Sequence, residues 1–367
     1  MPVLADVLAA HTREGELFEK IDEGRIRCFA CAHLCPIPEG RSGVCKVRFN
    51  RGGKLMVPFG YVVGAQCDPI EKKPFYHVRP GALAFSFGML GCDLHCGYCQ
   101  NWLTSQALRD PRAGSSITEV TAQQLVRAAR RHGAEIVVST YNEPLVTSEW
   151  AAAVFEEARK VGLLTGFVSN GNATPRVLEY LKPRTDLYKV DLKSFDDRRY
   201  RKLGGRLQPV LDTIRLVHRM GFWVEIVTLL VPGFNDSDAE IARLTEFIAS
   251  VSADIPWHVT AFHPDYKMTD AGYTRAADLV RAAEAGRRSG LRYIYAGNLP
   301  GRLAELENTY CPQCRRLLVE RRGFSILSYH LSSDGRCPSC STEIPGRWAA
   351  SFRPQISDYP LPTRLDF

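Results

Sequence analysis

The stretch that decides the fold reads Phe87-Gly-Met-Leu-Gly-Cys92-Asp-Leu-His-Cys96-Gly-Tyr-Cys99-Gln-Asn-Trp102 and holds three closely spaced cysteines. It follows the apolar run 82–90, so we predict a loop that leaves a strand. Tetrahedral zinc and most iron–sulfur clusters take four protein ligands, so three thiolates on a four-iron cluster leave one iron open. The pattern therefore indicates a site for chemistry. The alternative is a structural zinc knuckle with a distant fourth ligand.

The C-x3-C-x2-C spacing, with the aromatic Tyr98 just before its last cysteine, resembles the signature of the radical S-adenosylmethionine (SAM) superfamily. The resemblance implies that Cys92, Cys96 and Cys99 hold a [4Fe–4S] cluster whose open iron binds SAM, with Tyr98 beside it. It also implies an enzyme in which the reduced cluster cleaves SAM to a 5′-deoxyadenosyl radical. The cofactors supply that chemistry, and the protein supplies orientation and shielding.

The segments after this loop alternate between strand-like and helix-like patterns, which is typical of a parallel sheet with crossover helices. We predict an α/β fold, a partial (β/α)6 TIM-like barrel, with function at the carboxyl ends of its strands. The predicted strands are Ala82–Leu90, Glu135–Thr140, Leu164–Ser169, Leu187–Leu192, Trp223–Leu230 and His258–Phe262. The predicted helices are Thr121–Arg131, Glu149–Val161, Pro175–Leu181, Leu207–Met220 and Asp238–Ser250.

Polar residues follow the second predicted strand, in Ser139-Thr-Tyr-Asn142-Glu143-Pro144. This turn resembles the Gly-Gly-Glu-Pro turn of pyruvate formate-lyase activating enzymes. The resemblance implies that Asn142 and Glu143 receive the SAM amino group, although Tyr141 and Asn142 replace the two glycines. A plain turn formed by Asn142 and Pro144 is the alternative.

Three later strand ends carry further candidates for contact with SAM. Asn170 lies in a Ser-Asn-Gly-Asn segment that resembles the Thr-Asn-Gly of the same activating enzymes. Alternation in a strand places Asp191 and Lys193 on one face, and the activating enzymes use a similar Asp-x-Lys pair near SAM. An ion pair at the barrel rim is the alternative. His263 resembles the histidine that contacts SAM in these enzymes, and a structural histidine is its alternative.

Four cysteines near the C-terminus form two C-P-x-C knuckles. They are Cys311 and Cys314, followed by Cys337 and Cys340. Four thiolates on one ion favour a zinc ribbon, a small module that folds when it binds the metal. Rubredoxin-like iron uses the same knuckles and stays the alternative.

Four cysteines near the N-terminus form a less regular set, Cys28, Cys31, Cys35 and Cys45. Zinc and a second [4Fe–4S] cluster are equally compatible with it. With four thiols present, His33 is expected beside the site or facing solvent. The remaining cysteine, Cys67, has no neighbouring partner in the sequence and is interpreted as a buried thiol.

The composition narrows the class of protein. The 367 residues are 45% hydrophobic and 24% charged, as in ordinary globular proteins. No apolar run approaches the ~20 residues of a membrane-spanning helix, and the N-terminus lacks the pattern of a signal peptide. We therefore expect a cytoplasmic protein without a membrane partner, whose twelve cysteines serve metals more than disulfides. A net charge of +7, spread along the chain, does not favour nucleic acid as a partner.

These observations divide the chain into a Cys-rich module over 1–79, the barrel over 80–300, and the ribbon with its tail over 301–367. Across almost its whole length the chain resembles the AmmeMemoRadiSam system radical SAM enzymes, which are related to the activating enzymes. That family implies Memo-like and AMMECR-type proteins as neighbours, and a reductant such as ferredoxin or flavodoxin.

The resemblance favours hydrogen abstraction from a protein or peptide, as at a glycyl Cα. The alternatives are radical modification of a small molecule or nucleoside, and a non-catalytic binding protein scaffolded by its metals.

Overall fold

The computed structural model of the chain describes residues 4–113 and 116–348, so the predicted tail beyond 348 lies outside the described residues. The N-terminal part consists of one short helix and short strands. They are α1 (Leu4–Ala10), β1 (Thr12–Glu14), β2 (Phe18–Asp22), β3 (Arg25–Cys28), β4 (Pro36–Pro38), β5 (Phe49–Arg51), β6 (Lys54–Pro58) and β7 (Tyr61–Val62). Most of these strands pair into two small antiparallel sheets, ordered β1-β6-β5 and β2-β3-β4.

The central part alternates strands with helices. Its elements are β8 (Gly64–Pro69), β9 (Leu83–Gly88), α2 (Trp102–Ser105), β10 (Thr118–Glu119), α3 (Ala122–Arg131), β11 (Ile136–Ser139), α4 (Ser148–Lys160), β12 (Leu164–Ser169), α5 (Pro175–Leu181), β13 (Leu187–Asp191), α6 (Asp197–Lys202), α7 (Leu207–Arg219), β14 (Trp223–Leu230), α8 (Asp238–Val251), β15 (Trp257–Ala261), α9 (Ala276–Arg288) and β16 (Ile294–Gly297). Short 3-10 helices cover Ile70–Lys72, Pro144–Thr147, Lys182–Arg184 and Ala304–Leu306.

The main sheet has eight strands in the order β16-β15-β14-β13-β12-β11-β9-β8. Seven of them run parallel, and β8 pairs antiparallel with β9 at one edge. The α/β fold with an open parallel barrel is therefore confirmed. The sheet contains the six predicted strands and two more, β16 and β8, and β8 contains none of the β-branched or aromatic residues that signal a strand.

The two faces of the sheet differ. Outward side chains such as Phe85, Val137 and Val190 pack under the helices in the largest apolar cluster. On the other face, the amino ends of the strands carry an apolar layer that includes Ala84 and Leu187. Because this layer fills the lower end of the barrel, the polar residues collect at the carboxyl ends, where an open site can form.

The C-terminal part forms a three-stranded antiparallel sheet, β17 (Thr309–Tyr310), β18 (Leu317–Arg322) and β19 (Ser325–Tyr329). It shares an apolar cluster with Tyr76 and Tyr295 of the barrel side. The buried Arg321 donates to the Tyr76 carbonyl at 2.7 Å. The division at 79/80 and 300/301 stays a prediction, and β8, from the first of these segments, belongs to the main sheet. No helix in the described ranges is long and apolar enough to cross a membrane.

Candidate active site

The loop between β9 and α2, called the cluster loop below, carries three cysteines that line one cavity of about 430 Å3. Cys96 is buried, and Cys92 and Cys99 are half-buried. The Leu94 amide donates to Cys92 Sγ at 3.3 Å, and the Ser105 hydroxyl lies 3.2 Å from Cys99 Sγ. Hydrogen bonds to thiolate sulfurs help to set the potential of iron–sulfur clusters. Three thiols that face one cavity, with donors behind them, fit a four-iron cluster that keeps one iron open.

Two glycines let the cluster loop lie against its neighbours. Gly91 has a φ of +97°, and a Cβ there would lie 2.7 Å from Val47 Cγ1. A Cβ on Gly88 would lie 2.7 Å from the Thr140 carbonyl oxygen. Because neither position has room for a side chain, glycine is required for this close packing.

Six of the seven residues predicted to contact SAM line the same cavity as the three cysteines. They are Tyr98, Asn142, Glu143, Asn170, Asp191 and Lys193. These side chains come from the cluster loop and from the ends of β11, β12 and β13, which meet at one edge because the strands are parallel. The cavity therefore brings the candidate cluster ligands and the candidate SAM contacts together, and their contact with SAM stays a prediction.

Glu143 is the most enclosed carboxylate of the cavity. It accepts hydrogen bonds from the Leu145 amide at 3.1 Å, the Ser169 hydroxyl at 2.7 Å and the Asn170 amide at 2.7 Å. Burial and the nearby Asp93 raise the pKa of Glu143 to about 8, against the lowering effect of these donors. A cation bound in the cavity would favour the ionised form. Glu143 is thus fixed by three donors, and its pairing with a positive group stays a prediction.

The turn before Glu143 departs from the glycine pair of the activating enzymes, and the structure shows how the larger residue is accommodated. Tyr141 has a φ of +71°, a conformation that glycine adopts without strain. Its hydroxyl accepts from Lys73 Nζ at 3.0 Å and donates to Gln66 Oε1 at 3.2 Å. The Asn142 side chain in turn accepts from the Met89 amide at 3.0 Å. The turn is therefore fixed to β8 and to the cluster loop.

Asp191 pairs with two lysines at the end of β13. Lys193 Nζ lies 3.2 Å from Asp191 Oδ2, and Lys189 Nζ contacts Asp191 Oδ1. Burial raises the pKa of Asp191, but the two lysines outweigh it and hold that pKa at about 2. Lys189 is itself buried and lines the cavity, although we did not predict it from the sequence. The sequence contained a signal for Lys189, because Lys189, Asp191 and Lys193 are two positions apart and therefore lie on one face of the strand.

Asp93 is a second functional candidate that sequence reasoning missed. It follows Cys92 directly, is buried, and accepts from Asn170 Nδ2 at 2.7 Å and Asn172 Nδ2 at 2.8 Å. The two asparagines therefore connect the cluster loop to the end of β12. The sequence contained a signal for Asp93, because an acidic residue is unusual inside a cysteine motif whose other positions include apolar, buried ones.

His263 does not join the other predicted SAM contacts. It is exposed, and its Nε2 lies 2.9 Å from Gln100 Nε2. It lines a second cavity of about 920 Å3 between the barrel and the C-terminal sheet. Gln100 lines both cavities, so His263 lies at the passage from one to the other.

Residues 88–245, which contain the cluster loop and the strands from β11 to β14, match the radical SAM superfamily. The chain contains a radical SAM superfamily domain. As a radical SAM enzyme, it takes a [4Fe–4S] cluster and SAM and needs a reductant, and the three thiols of the cluster loop fit that cluster.

Relatives of this radical SAM enzyme extend the match beyond the superfamily segment. The uncharacterized protein MJ0808 of Methanocaldococcus jannaschii is 35% identical over 335 residues, 90% of this chain and 98% of that protein. The pyruvate formate-lyase-activating enzyme of Staphylococcus aureus is 27% identical over 226 residues, 57% of this chain and 88% of that enzyme. The crystal structure of a radical SAM methyltransferase from Sphaerobacter thermophilus has a TM-score of 0.47 and 15% identity, over 80% of this chain and 81% of that one.

A second cysteine site lies in the C-terminal part of the chain, after the radical SAM barrel. We call it the C-terminal set, and it is formed by Cys311, Cys314, Cys337 and Cys340. Their sulfurs all lie within 4.8 Å of one another, with 3.5 Å between Cys311 and Cys340 and 3.6 Å between Cys314 and Cys337. The two knuckles match in backbone, since Arg315 and Ser341, each just after the second cysteine, both have positive φ. The prediction that these four cysteines form one metal site is therefore confirmed. The identity of the metal stays a prediction.

The N-terminal set, formed by Cys28, Cys31, Cys35 and Cys45, lies near α4 and the end of β12 in the radical SAM barrel. Three of these thiols are buried and Cys35 is half-buried. The buried Arg48 donates from Nε to Cys28 Sγ at 3.2 Å and pairs with Glu149 of α4 at 2.6 and 2.8 Å. Burial raises the pKa of Glu149, but Arg48 outweighs it and keeps the carboxylate ionised.

Cys67 lies apart from the three sets. It is half-buried on β8, with its sulfur 3.9 Å from the His132 carbonyl oxygen. The interpretation as a buried thiol therefore holds only in part, and Cys67 belongs to no group of three or more candidate metal ligands among the described residues.

Proposed function

We propose that this radical SAM enzyme abstracts a hydrogen atom from a protein or peptide substrate, as a glycyl-radical-activating enzyme does. The observation that carries the proposal is that the two cavities lie side by side. The cluster cavity and the larger second cavity share Lys72, Pro74, Gln100, Thr260 and Asn298 in their walls. The two cavities therefore adjoin, and we propose that a peptide segment lying in the second cavity would reach the cluster cavity beside it.

The two cavities give each group of residues a proposed role. A [4Fe–4S] cluster on Cys92, Cys96 and Cys99, with SAM bound, supplies reductive cleavage of SAM to methionine and a 5′-deoxyadenosyl radical. Glu143 would accept a charge-assisted hydrogen bond from the SAM ammonium group.

The remaining wall residues complete the proposed SAM site. Lys193 would face the SAM carboxylate, because the cavity brings it beside the cluster cysteines and the Glu143 end of the wall. Asn142, Asn170, Asp191 and Tyr98 would enclose SAM and exclude water. His263, at the passage, would face the substrate side of SAM.

The homology to the activating enzyme of Staphylococcus aureus supports a protein substrate. We further propose that the chain is an AmmeMemoRadiSam system enzyme, with Memo-like and AMMECR-type proteins as neighbours and ferredoxin or flavodoxin as reductant. The C-terminal set is proposed to hold zinc, and the N-terminal set zinc or a second iron–sulfur cluster. A cytoplasmic location is proposed because ligand cysteines stay reduced there.

The test follows the hydrogen atom. A purified Memo-like or AMMECR-type protein, labelled with α-deuterated glycine, is incubated with reconstituted enzyme, SAM and reduced flavodoxin. The proposal expects deuterium in the released 5′-deoxyadenosine, measured by mass spectrometry, and a glycyl radical signal in electron paramagnetic resonance (EPR). Unlabelled protein is the control.

Two other results would favour the alternatives. If nucleosides or small metabolites raise deoxyadenosine release and the labelled proteins do not, the substrate is a small molecule, for which a cavity of this size also has room. If a fully reconstituted enzyme releases none, the chain acts as a metal-scaffolded binding protein.

A further inference from the structure

The two four-cysteine sets differ in the spacing of their sulfurs. Four sulfurs about 2.3 Å from one tetrahedral zinc lie about 3.8 Å from each other. The C-terminal set matches this spacing, with sulfur pairs at 3.5 and 3.6 Å. In the described ranges, no three sulfurs of the N-terminal set lie within 4.8 Å of one another, and neither do the three sulfurs of the cluster loop. The N-terminal sulfurs are therefore spaced more widely than those of the C-terminal set, as the sulfurs of the cluster loop are.

The four N-terminal thiols nevertheless belong to one site. The Cys28 amide donates to the Cys35 carbonyl at 3.1 Å, and the Val44 amide donates to Cys35 Sγ at 3.5 Å, which brings the Cys45 segment beside the first three cysteines. Four thiols that the backbone brings together, but that are spaced more widely than those of the C-terminal set, fit a group larger than one zinc ion.

The surroundings of the N-terminal set suit a charged cluster. Cys28 Sγ accepts a hydrogen bond from the buried guanidinium of Arg48, and Cys35 Sγ accepts from a backbone amide. Arg48 is held by two hydrogen bonds to Glu149 of the barrel. Cations and amide donors around cluster sulfurs stabilise the negative charge that reduction adds.

The N-terminal set also lies beside the cluster loop. A Cβ on Gly91 would lie 3.3 Å from the Cys45 carbonyl oxygen. The Ala32 amide donates to the Asn172 carbonyl at 2.8 Å, and the Asn172 side chain donates to Asp93, the neighbour of Cys92. Asn172 and Asp93 therefore link the N-terminal set to the cluster loop by hydrogen bonds.

On these observations we propose that Cys28, Cys31, Cys35 and Cys45 bind a second [4Fe–4S] cluster, which passes an electron to the SAM-cleaving cluster. The proposal rests on the proposed function, because it needs SAM cleavage at the cluster loop. Four thiolates leave this cluster no open iron, so electron transfer is the chemistry available to it.

An external donor supplies the electron that SAM cleavage consumes. Reduced flavodoxin or ferredoxin gives one electron to the N-terminal cluster, which passes it to the cluster on the cluster loop. That electron enters the C–S bond of SAM as it breaks, and both clusters return to their oxidised state. The N-terminal site has a face close to solvent, since Cys35 is half-buried and the adjacent Leu34 and Val44 are each 41% exposed.

The metal is tested in the full chain with the cluster loop disabled, using Cys92→Ala, Cys96→Ala and Cys99→Ala together. After anaerobic reconstitution this variant should hold about four irons and four sulfides per chain, with an EPR signal on reduction that SAM does not change. Zinc in place of iron would overturn the proposal. This measurement is independent of SAM cleavage, so it stands even if the proposed function fails.

The relay is tested with Cys31→Ser and, in case that variant misfolds, Cys35→Ser, whose thiol is half-buried. Either should still cleave SAM with titanium(III) citrate, a small reductant that reaches the cluster loop directly, and should lose cleavage driven by reduced flavodoxin. The matched control is Cys67→Ser, which should keep both activities. Unchanged flavodoxin-driven cleavage in the variants would overturn the relay. Absence of cleavage by the wild type with both reductants would instead contradict the proposed function.

Discussion

The N-terminal and C-terminal cysteine sets use the same ligand on different scaffolds. The C-terminal set lies on two matching knuckles, and two of its thiols, Cys314 and Cys340, are exposed. The N-terminal set is more buried, is tied to α4 by the Arg48–Glu149 pair, and adjoins the cluster loop through Gly91. A structural metal site needs only its four ligands. A metal site that transfers electrons also needs contacts with the site where SAM is cleaved. The difference supports the structural role proposed for the C-terminal set and the redox role proposed for the N-terminal set.

The largest effect is expected at the cluster loop, because neither the N-terminal nor the C-terminal set can replace its cysteines. Cys96→Ala removes one of three thiolates and leaves the cluster of the cluster loop under-ligated. Release of 5′-deoxyadenosine should fall to background with any reductant, while metal bound at both terminal sets is retained. Cys92→Ala and Cys99→Ala should behave alike. Release at the wild-type rate from any of the three would refute the assignment of the cluster loop.

The next effect is structural and concerns the C-terminal set. Cys337→Ser removes a buried ligand of a closed four-thiolate site, and structural zinc contributes on the order of 10 kcal/mol to small zinc-folded units. We expect loss of the metal and faster hydrogen exchange over β17 to β19, while the folded barrel still cleaves SAM. Ser339→Ala, between two ligands, is the control. Iron with a reversible redox signal at this set would make it a relay instead.

The third effect concerns the buried pair that anchors the N-terminal set. Arg48→Met leaves the Glu149 carboxylate buried without its partner, which costs about 3–5 kcal/mol of unfolding free energy. The double variant Arg48→Met with Glu149→Leu should recover much of this loss, because it leaves no unpaired charge. Chemical denaturation of the three proteins measures the difference. A single variant as stable as the wild type would show that the anchor is dispensable.

The sequence predicted those features that depend on neighbours along the chain. The spacing of Cys92, Cys96 and Cys99 is local, and the apolar runs of the parallel strands are strong, so the radical SAM core followed from them. Contacts between distant residues left no such signal. Arg48 and Glu149 are 101 positions apart, and the edge strand β8 gains its place only by pairing with β9. Local pattern also could not distinguish zinc from a cluster, because the distances between sulfurs are set by the folded loops.

The fourth effect separates the SAM site from both cysteine sets. Glu143→Ala removes the carboxylate proposed to pair with the SAM ammonium group, and loss of such a hydrogen bond costs about 1.5–3 kcal/mol, or one to two decades in affinity. Ser169→Ala is the control, because it removes one donor to Glu143 and keeps the charge. Its SAM affinity should change less. Calorimetric SAM affinities that are equal in the wild type and Glu143→Ala would leave Glu143 as a turn residue only.

The smallest effect is a dependence of SAM affinity on pH. The pKa of Glu143 is raised to about 8, from 4.5, so below that value the free site holds a proton on this carboxyl. If bound SAM needs the carboxylate, each binding event releases that proton, and affinity should rise up to about tenfold per pH unit between about pH 6 and 7.5. Above the raised pKa the dependence on this group ends. Calorimetry in two buffers of different ionisation enthalpy counts the released proton, and Glu143→Gln should abolish the release. A slope that persists in Glu143→Gln would assign the proton to another group and leave the SAM contact without this support.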